Sequence, residues 1–315
     1  MLTYGSLCSG YGGLDLAVEH VFDARPMWHA EVDPHASKVL AAHWPDTPNL
    51  GDLTTVDWTT VPPVDVLCAG YPCQPFSHAG QRRGTNDDRH LWPHIADAVR
   101  VLRPRYLVCE NVAGHLSMGF DSVLCDLADL GFHVEWGVLR ASDVGACHRR
   151  TRLFFVAADT DHGPINRERA RSQPGWRGEG GDRTLADACG AAVGQSAGGP
   201  PPQEEPRGRA GHRPGDPRGE RPAFDWRATP YAAAIERHQH LTGRPAPHPA
   251  PDGRLSPEFV EWMMCLPAGW VTGHGLSRTA AVRMLGNGVV PPQAAAAIGE
   301  LLRRHNARTP IGAAS

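Results

Sequence analysis

From Leu2 to Ala158 short apolar runs alternate with stretches in which apolar residues recur at helical spacing. That alternation is the pattern of βαβ units wound around a parallel sheet. The runs Leu2–Leu7, Pro26–Glu31, Val64–Ala69, Arg105–Glu110, Phe132–Arg140 and Arg152–Ala157 predict strands. Between them Leu14–Phe22, Pro34–His43, Trp92–Leu102 and Ser122–Leu130 predict helices, because their apolar side chains fall on one face. The fold class expected is α/β, with a doubly wound, mostly parallel sheet. The periodicity stops at Thr160. From there to Pro222 the chain is crowded with Gly, Pro and Arg and keeps no sustained period, which predicts loop or disorder. Order returns at Phe224, with helices predicted over Tyr231–His240, Leu255–Cys265, Ser277–Leu285 and Pro291–Arg304. Ser256-Pro257-Glu258 supplies an N-cap, a first-turn proline and an early acid to the second of these. The division expected is a first unit over 1–158, a small, partly irregular region over 159–253 and a C-terminal part over 254–315.

Composition adds exclusions. At 315 residues, 41% hydrophobic and 21% charged, the chain reads as a soluble globular protein with room for a sizeable core. No apolar run approaches the ~18 residues of a membrane span, and Met1 leads into a strand rather than a secretory signal, so a cytoplasmic location without a membrane partner is expected. The eight cysteines include no C-x-x-C pair, which points away from zinc sites and disulfide frameworks. Cys68, Cys109 and Cys125 lie in apolar strands or helix faces and are expected in the core. The net charge of −3 means that any affinity for nucleic acid must come from a local basic face.

Three places carry candidate chemistry. Ser9-Gly10-Tyr11-Gly12-Gly13 follows the first strand and opens the first helix, where a turn without bulky side chains lets a nucleotide-like ligand lie against backbone amides. Such a turn also serves as mere punctuation. Glu31, ending the second strand, stands where an acid can bond both hydroxyls of a ribose, and Asp52 is placed to accept from an adenine amino group. Asp15 occupies the position of the third small residue of a dinucleotide fingerprint and would repel a pyrophosphate; a cofactor without phosphate, such as S-adenosylmethionine, fits better. After the strand Val64–Ala69 comes Gly70-Tyr71-Pro72-Cys73-Gln74-Pro75-Phe76-Ser77, a cysteine between prolines that restrict the backbone around a thiol. Glu110-Asn111-Val112 ends another strand, where a buried carboxylate is costly without a function. His148-Arg149-Arg150-Thr151-Arg152 then sends alternate arginines to one face.

In this order the motifs resemble those of the DNA (cytosine-5) methyltransferase family, of bacterial or phage type, over roughly residues 3–158 and 254–305. Leu7–Gly13 resembles its first cofactor motif, Pro72-Cys73-Gln74 its catalytic loop, Glu110-Asn111-Val112 its glutamate motif and Arg150 and Arg152 its arginine motif. Arg254–Trp270 and Gly286-Asn287-Gly288-Val289-Val290 resemble its last two motifs. The resemblance implies S-adenosylmethionine as cofactor and catalysis by Cys73, Glu110, Arg150 and Arg152. It implies a cofactor site formed by Cys8, Ser9, Gly10, Gly12, Gly13, Leu14, Glu31, Val32, Asp52, Leu53, Pro72, Leu91, Asn287 and Val289. Gln74, Ser77, Arg82, Arg83 and Arg89 would contact DNA, in a loop resembling the one that closes over the family's substrate. Asn287 and Val289 would return to the cofactor pocket, so the final helices are expected to pack on the first unit. The family commonly has Phe in place of Cys8, an aromatic residue in place of Val32, and Gln and Glu in place of His148 and Thr151.

The implied reaction is base flipping, attack of Cys73 on carbon 6 of a cytosine, assistance by Glu110 at ring nitrogen 3, and methylation at carbon 5. The partners implied are double-stranded DNA and a restriction endonuclease of the same site, with the enzyme a monomer. Phe224–Gly253 is the expected sequence reader, with Trp226, Arg227, Tyr231, Arg237, His238 and Arg244 as contacts. Met263, Met264, Trp262 and Trp270 are expected in the core. Three alternatives compete. A tRNA methyltransferase of the same family usually carries a Cys-Phe-Thr signature, which is absent here. A Rossmann-type oxidoreductase is opposed by Asp15, and an inactive DNA-binding module by the presence of both Cys73 and Glu110.

Overall fold

The computed structural model describes residues 1–72, 91–160 and 224–308. Cys73, Gln74, Ser77, Arg82, Arg83 and Arg89, and all but the first residue of Thr160–Pro222, lie outside the described residues. Six strands, β1 (Leu2–Leu7), β2 (Ala24–Ala30), β3 (Val66–Ala69), β4 (Tyr106–Val112), β5 (Phe132–Arg140) and β6 (Thr151–Asp159), form one sheet in the order β2-β1-β3-β4-β6-β5. The pairs β1/β2, β1/β3 and β3/β4 are parallel, whereas β6 runs antiparallel to both neighbours. Reversal of β6 follows from the short link between β5 and β6, which leaves no room for a crossover helix.

The helices are α1 (Gly13–Phe22), α2 (Pro34–His43), α3 (Trp92–Leu102), α4 (Phe120–Asp129), α5 (Ala232–Thr242), α6 (Pro257–Met263), α7 (Arg278–Asn287) and α8 (Pro291–Arg308). Alternation along the strands separates two cores. Leu67, Leu107, Phe155 and Ala157 face α3 and α4, while Val66, Val108, Phe154 and Val156 face α1 and α8. The C-terminal helix α8 thus forms part of a layer begun by the first helix. A third cluster joins Tyr11 and Val39 to α6 and α7, and a small one gathers Ile235, Phe259 and Trp262 around α5 and α6.

Side chains cap several helix starts, that of α6 as the sequence suggests. The Asp33 carboxylate accepts from the His35 and Ala36 amides and Ser256 Oγ from the Phe259 amide at 3.1 Å, each satisfying donors that a helix start leaves open. One core expectation fails, since Cys125 lies on the solvent face of α4. The inward face there belongs to Phe120, Val123 and Leu127, and the 3.6-residue period turns Cys125 away from them. Cys68 and Cys109 are fully buried, as are Trp262 and Met264, with Met263 and Trp270 half-buried against the third cluster.

Candidate active site

The carboxyl ends of β1, β3 and β4 open onto a cavity of about 390 Å³, the size of an ordinary small-molecule site and in the place where open α/β sheets bind ligands. Its wall includes Cys8, Ser9, Gly10 and Leu14 after β1, Glu31 after β2 and Pro72 after β3. Glu110 and Arg152 come from β4 and β6, and Gly286 to Val289 from the end of α7 and the two residues after it. Strand register brings these together: Ala69 lies opposite Cys109, so Glu110 stands one residue beyond the end of β3, beside the turn that leads to Pro72.

At one end of the cavity Glu31 is buried, and its carboxylate accepts from the Gly10 amide and the Asp33 amide, both at 2.8 Å. Burial raises its pKa, and those amide bonds oppose the rise by favouring the charged form. At the other end Glu110 is buried as an ion pair with Arg152, Nε to Oε1 2.8 Å. Burial pushes its pKa up to about 7 despite the pull of Arg152 and Arg150 in the opposite direction. A carboxyl group at that value holds or releases a proton near neutrality, as a general acid must.

The two arginines do not share a task. Arg152 holds Glu110, whereas Arg150 donates to the Gly286 carbonyl at 3.0 Å and to the Gly288 carbonyl. Asn111 donates to the Tyr71 carbonyl at 3.2 Å, and the Tyr71 hydroxyl meets His115 Nε2 at 2.9 Å. Since His115 Nδ1 lies 3.0 Å from the Met118 carbonyl, which can only accept, Nδ1 carries the proton and the tyrosine donates to Nε2. The strand-to-turn step before Pro72 is therefore held through both the backbone and the side chain of Tyr71.

Several expected cofactor residues stand elsewhere. Val32 is 71% exposed beyond the rim. The Asp52 carboxylate is exposed and engaged by the Thr54 amide and hydroxyl, so it closes its own turn. Leu53 belongs to the core beneath, and Leu91 packs half-buried at the start of α3. Gly12 and Gly13 are not in the wall but shape it. Gly12 has φ 84° and a Cβ there would strike Trp44, and one on Gly13 would strike the Val289 carbonyl. Asp15 lines the cavity fully buried, with His29 Nε2 3.3 Å away and no hydrogen-bond partner on either carboxylate oxygen.

Among the expected sequence readers, His238 is a correction. It is fully buried, with Nδ1 accepting from the Cys147 amide at 3.1 Å and Nε2 donating to the Trp262 carbonyl at 2.7 Å. Trp226 stacks on Phe259 with centroids 5.2 Å apart, and Arg244 donates to the Leu266 carbonyl. These three build the helical region; Arg227, Tyr231 and Arg237 are on its surface. Among the described residues no cluster of three or more metal-ligating side chains exists, and no helix is long and apolar enough to cross a membrane.

Sequence reading missed Tyr11, whose hydroxyl donates to the Val289 carbonyl at 2.6 Å, and Gln293, which bonds the carbonyls of Leu139 and Arg150. A usable signal was present for Gln293, a lone amide among the alanines of an otherwise small and apolar helix face.

Sheet order, antiparallel sixth strand and cavity position define a Rossmann-like α/β fold of the S-adenosylmethionine-dependent methyltransferase class. The sequence profile of the C-5 cytosine-specific DNA methylase family matches residues 2–178, and the chain belongs to that family. It is 34% identical over 169 residues to the type II methyltransferase M.BsuFI of Bacillus subtilis, covering 51% of this chain and 40% of that protein. It is 33% identical over 222 residues to a DNA N-6-adenine-methyltransferase of Escherichia phage P1, covering 52% and 29%. The chain thus spans less than half the length of these relatives. The crystal structure of the S. pombe Dnmt2 methyltransferase superposes with a TM-score of 0.58 at 14% identity, over 97% of this chain and 100% of that one, a likeness of fold.

Proposed function

We propose that this chain transfers a methyl group from S-adenosylmethionine to carbon 5 of a cytosine flipped out of double-stranded DNA, with Cys73 as the nucleophile. One observation carries the reading: a buried glutamate whose pKa is raised to about 7 stands on the wall of a ligand-sized cavity, one strand from Pro72, the residue that precedes Cys73 in the sequence. The thiols of Cys8, Cys68, Cys109, Cys147 and Cys265 are all pushed up by burial and are poor nucleophiles.

The cavity suits the cofactor. Asp15 places a buried carboxylate, with His29 Nε2 3.3 Å away, at the start of α1, where like charge disfavours a phosphate. Glu31, fixed as an acceptor, would hold the ribose hydroxyls, and Ser9, Gly10, Leu14, Asn287 and Val289 would line the remainder. When bound, S-adenosylmethionine supplies an electrophilic methyl group on a sulfonium.

The residues of the chain do the rest. Flipping the base costs about a few kcal/mol and exposes both faces of the ring. The Cys73 thiolate adds to carbon 6 while Glu110, in its protonated form, donates to ring nitrogen 3. The electron pair displaced by addition then resides on carbon 5, which becomes nucleophilic. After methylation, removal of the carbon 5 proton by a base and expulsion of the thiolate restore the aromatic ring, and nitrogen 3 returns its proton to Glu110. Arg152 keeps the Glu110 carboxyl oriented throughout.

The test uses duplex DNA carrying 5-fluorocytosine, from which the carbon 5 substituent cannot leave as a proton. With S-adenosylmethionine present the protein is expected to become covalently attached to this DNA, and Cys73→Ser to remain free. Equal methylation by Cys73→Ser and the parent would overturn the reading. Transfer of label to tRNA but not to duplex DNA would replace the substrate.

A further inference from the structure

The segment from Gly286 to Val289, which ends α7 and leads out of it, closes one side of the cavity. Its carbonyls are held by distant residues. Arg150 donates to Gly286 and Gly288, and the Tyr11 hydroxyl donates to Val289 from the other side. Tyr11 is fixed in turn by Trp270 Nε1, which donates to its carbonyl at 2.9 Å, and a side chain on Gly288 would strike the tyrosine ring.

Arg150 stands immediately before β6. Its φ is 33°, in the left-handed region that residues with a Cβ enter only when their surroundings hold them there. Gln293 is the holding group. It is fully buried in the first turn of α8, and its Nε2 donates to the Arg150 carbonyl and the Leu139 carbonyl, both at 2.8 Å. One amide nitrogen with two hydrogens satisfies both acceptors, where β5 ends and β6 begins. Gln293 does not itself line the cavity.

We propose that Gln293 is a positioning residue for the cofactor. By fixing the Arg150 carbonyl it aims that guanidinium at the Gly286–Gly288 segment and so sets the cavity wall that receives S-adenosylmethionine. The alternate arginines then divide the site: Arg152 serves the proton-donating carboxyl and Arg150 serves the cofactor wall. This inference rests on the reading of the cavity as an S-adenosylmethionine site.

The experiment measures S-adenosylmethionine binding by calorimetry in the absence of DNA, together with KM for the cofactor and kcat at saturation. Gln293→Met keeps the side-chain length and removes both donors. It is expected to weaken cofactor binding and raise KM about tenfold while kcat stays within about threefold, the signature of a lost ground-state contact. Arg150→Met should weaken cofactor binding at least as far, with kcat also altered because Arg150 lowers the Glu110 pKa, and Arg150→Lys, retaining one donor group, should fall between it and the parent in cofactor affinity. Arg152→Met should show the reverse, a fall in kcat of about a hundredfold with binding within about threefold. Combining Gln293→Met with Arg150→Met should be no worse than Arg150→Met alone, because both act through one segment. Should Gln293→Met not fold, Tyr11→Phe and Arg150→Lys decide, each expected to weaken binding severalfold. Unchanged cofactor affinity in Gln293→Met, or in that pair, overturns the proposal, as does a loss of kcat without a change in KM. A parent protein that does not bind S-adenosylmethionine overturns the underlying reading instead.

Discussion

Glu31 and Glu110 stand on the wall of one cavity, 8% and 6% exposed, and are held by partners of different kinds. Glu31 receives two neutral backbone amides, which fix its geometry and support its charged form. Glu110 faces a guanidinium, and its burial outweighs that charge enough to bring its pKa to about 7. The same side chain therefore becomes a fixed acceptor at one end and a proton carrier at the other. The backbone around Gly10 and Asp33 makes the first, and desolvation between β4 and β6 makes the second.

The strongest way to break this comparison is to remove each charge. Glu110→Gln keeps the shape but cannot pass a proton from acid to base, and methylation should fall about 10²- to 10⁴-fold with cofactor affinity close to the parent's. Glu31→Gln should do the opposite, weakening the binding of S-adenosylmethionine by about tenfold or more with a smaller effect on kcat. Calorimetry and steady-state rates on the two variants decide the matter, and equal loss in both parameters for both variants would erase the distinction.

A finer measurement uses pH. Glu110 must be protonated to donate, so kcat should decline as pH rises past about 7. Arg152 favours the charged form. In Arg152→Met the residual activity should therefore keep its falling limb to a higher pH. A limb unmoved, or moved downward, would assign the titration to another group.

The smallest effect belongs to a buried ionisable group that touches neither glutamate. His238 accepts from the Cys147 amide, so protonation would set two donors against each other, and burial lowers its pKa to about 4. Below an unfolded value near 6.5 the unfolded chain binds the proton more readily. Stability should fall as pH drops from about 6.5 toward 4, by at most about 3 kcal/mol. Urea titrations at several pH values should show this slope, and His238→Gln should flatten it. At neutral pH the same variant should change kcat less than either glutamate substitution.

Most of the sheet was legible because strand and helix periods are local properties. The sequence places β1, β5, α2 and α3 at their observed limits and the remaining strands within a few residues. The direction of β6 was not legible, since pairing depends on which neighbour the strand meets. Glu110 could be singled out by its position at the end of an apolar run. The partners of Arg150 could not, because Gly286 and Gly288 lie 136 and 138 residues away. His238 misled for a related reason, as a histidine on a half-polar helix looks the same whether its face meets solvent or, as here, Trp262 and Cys147.

By itself the sequence determined the alternation of strands and helices, the glycine turn, and the presence of a thiol, a carboxyl and two arginines in a fixed order. Periodicity and backbone restriction act over a few residues, so the linear chain already contains them. Only the tertiary structure decided what each charge faces. Desolvation of Glu110, the amides on Glu31 and the separate partners of Arg150 and Arg152 arise where distant segments meet, and electrostatic energy depends on those distances rather than on neighbours along the chain.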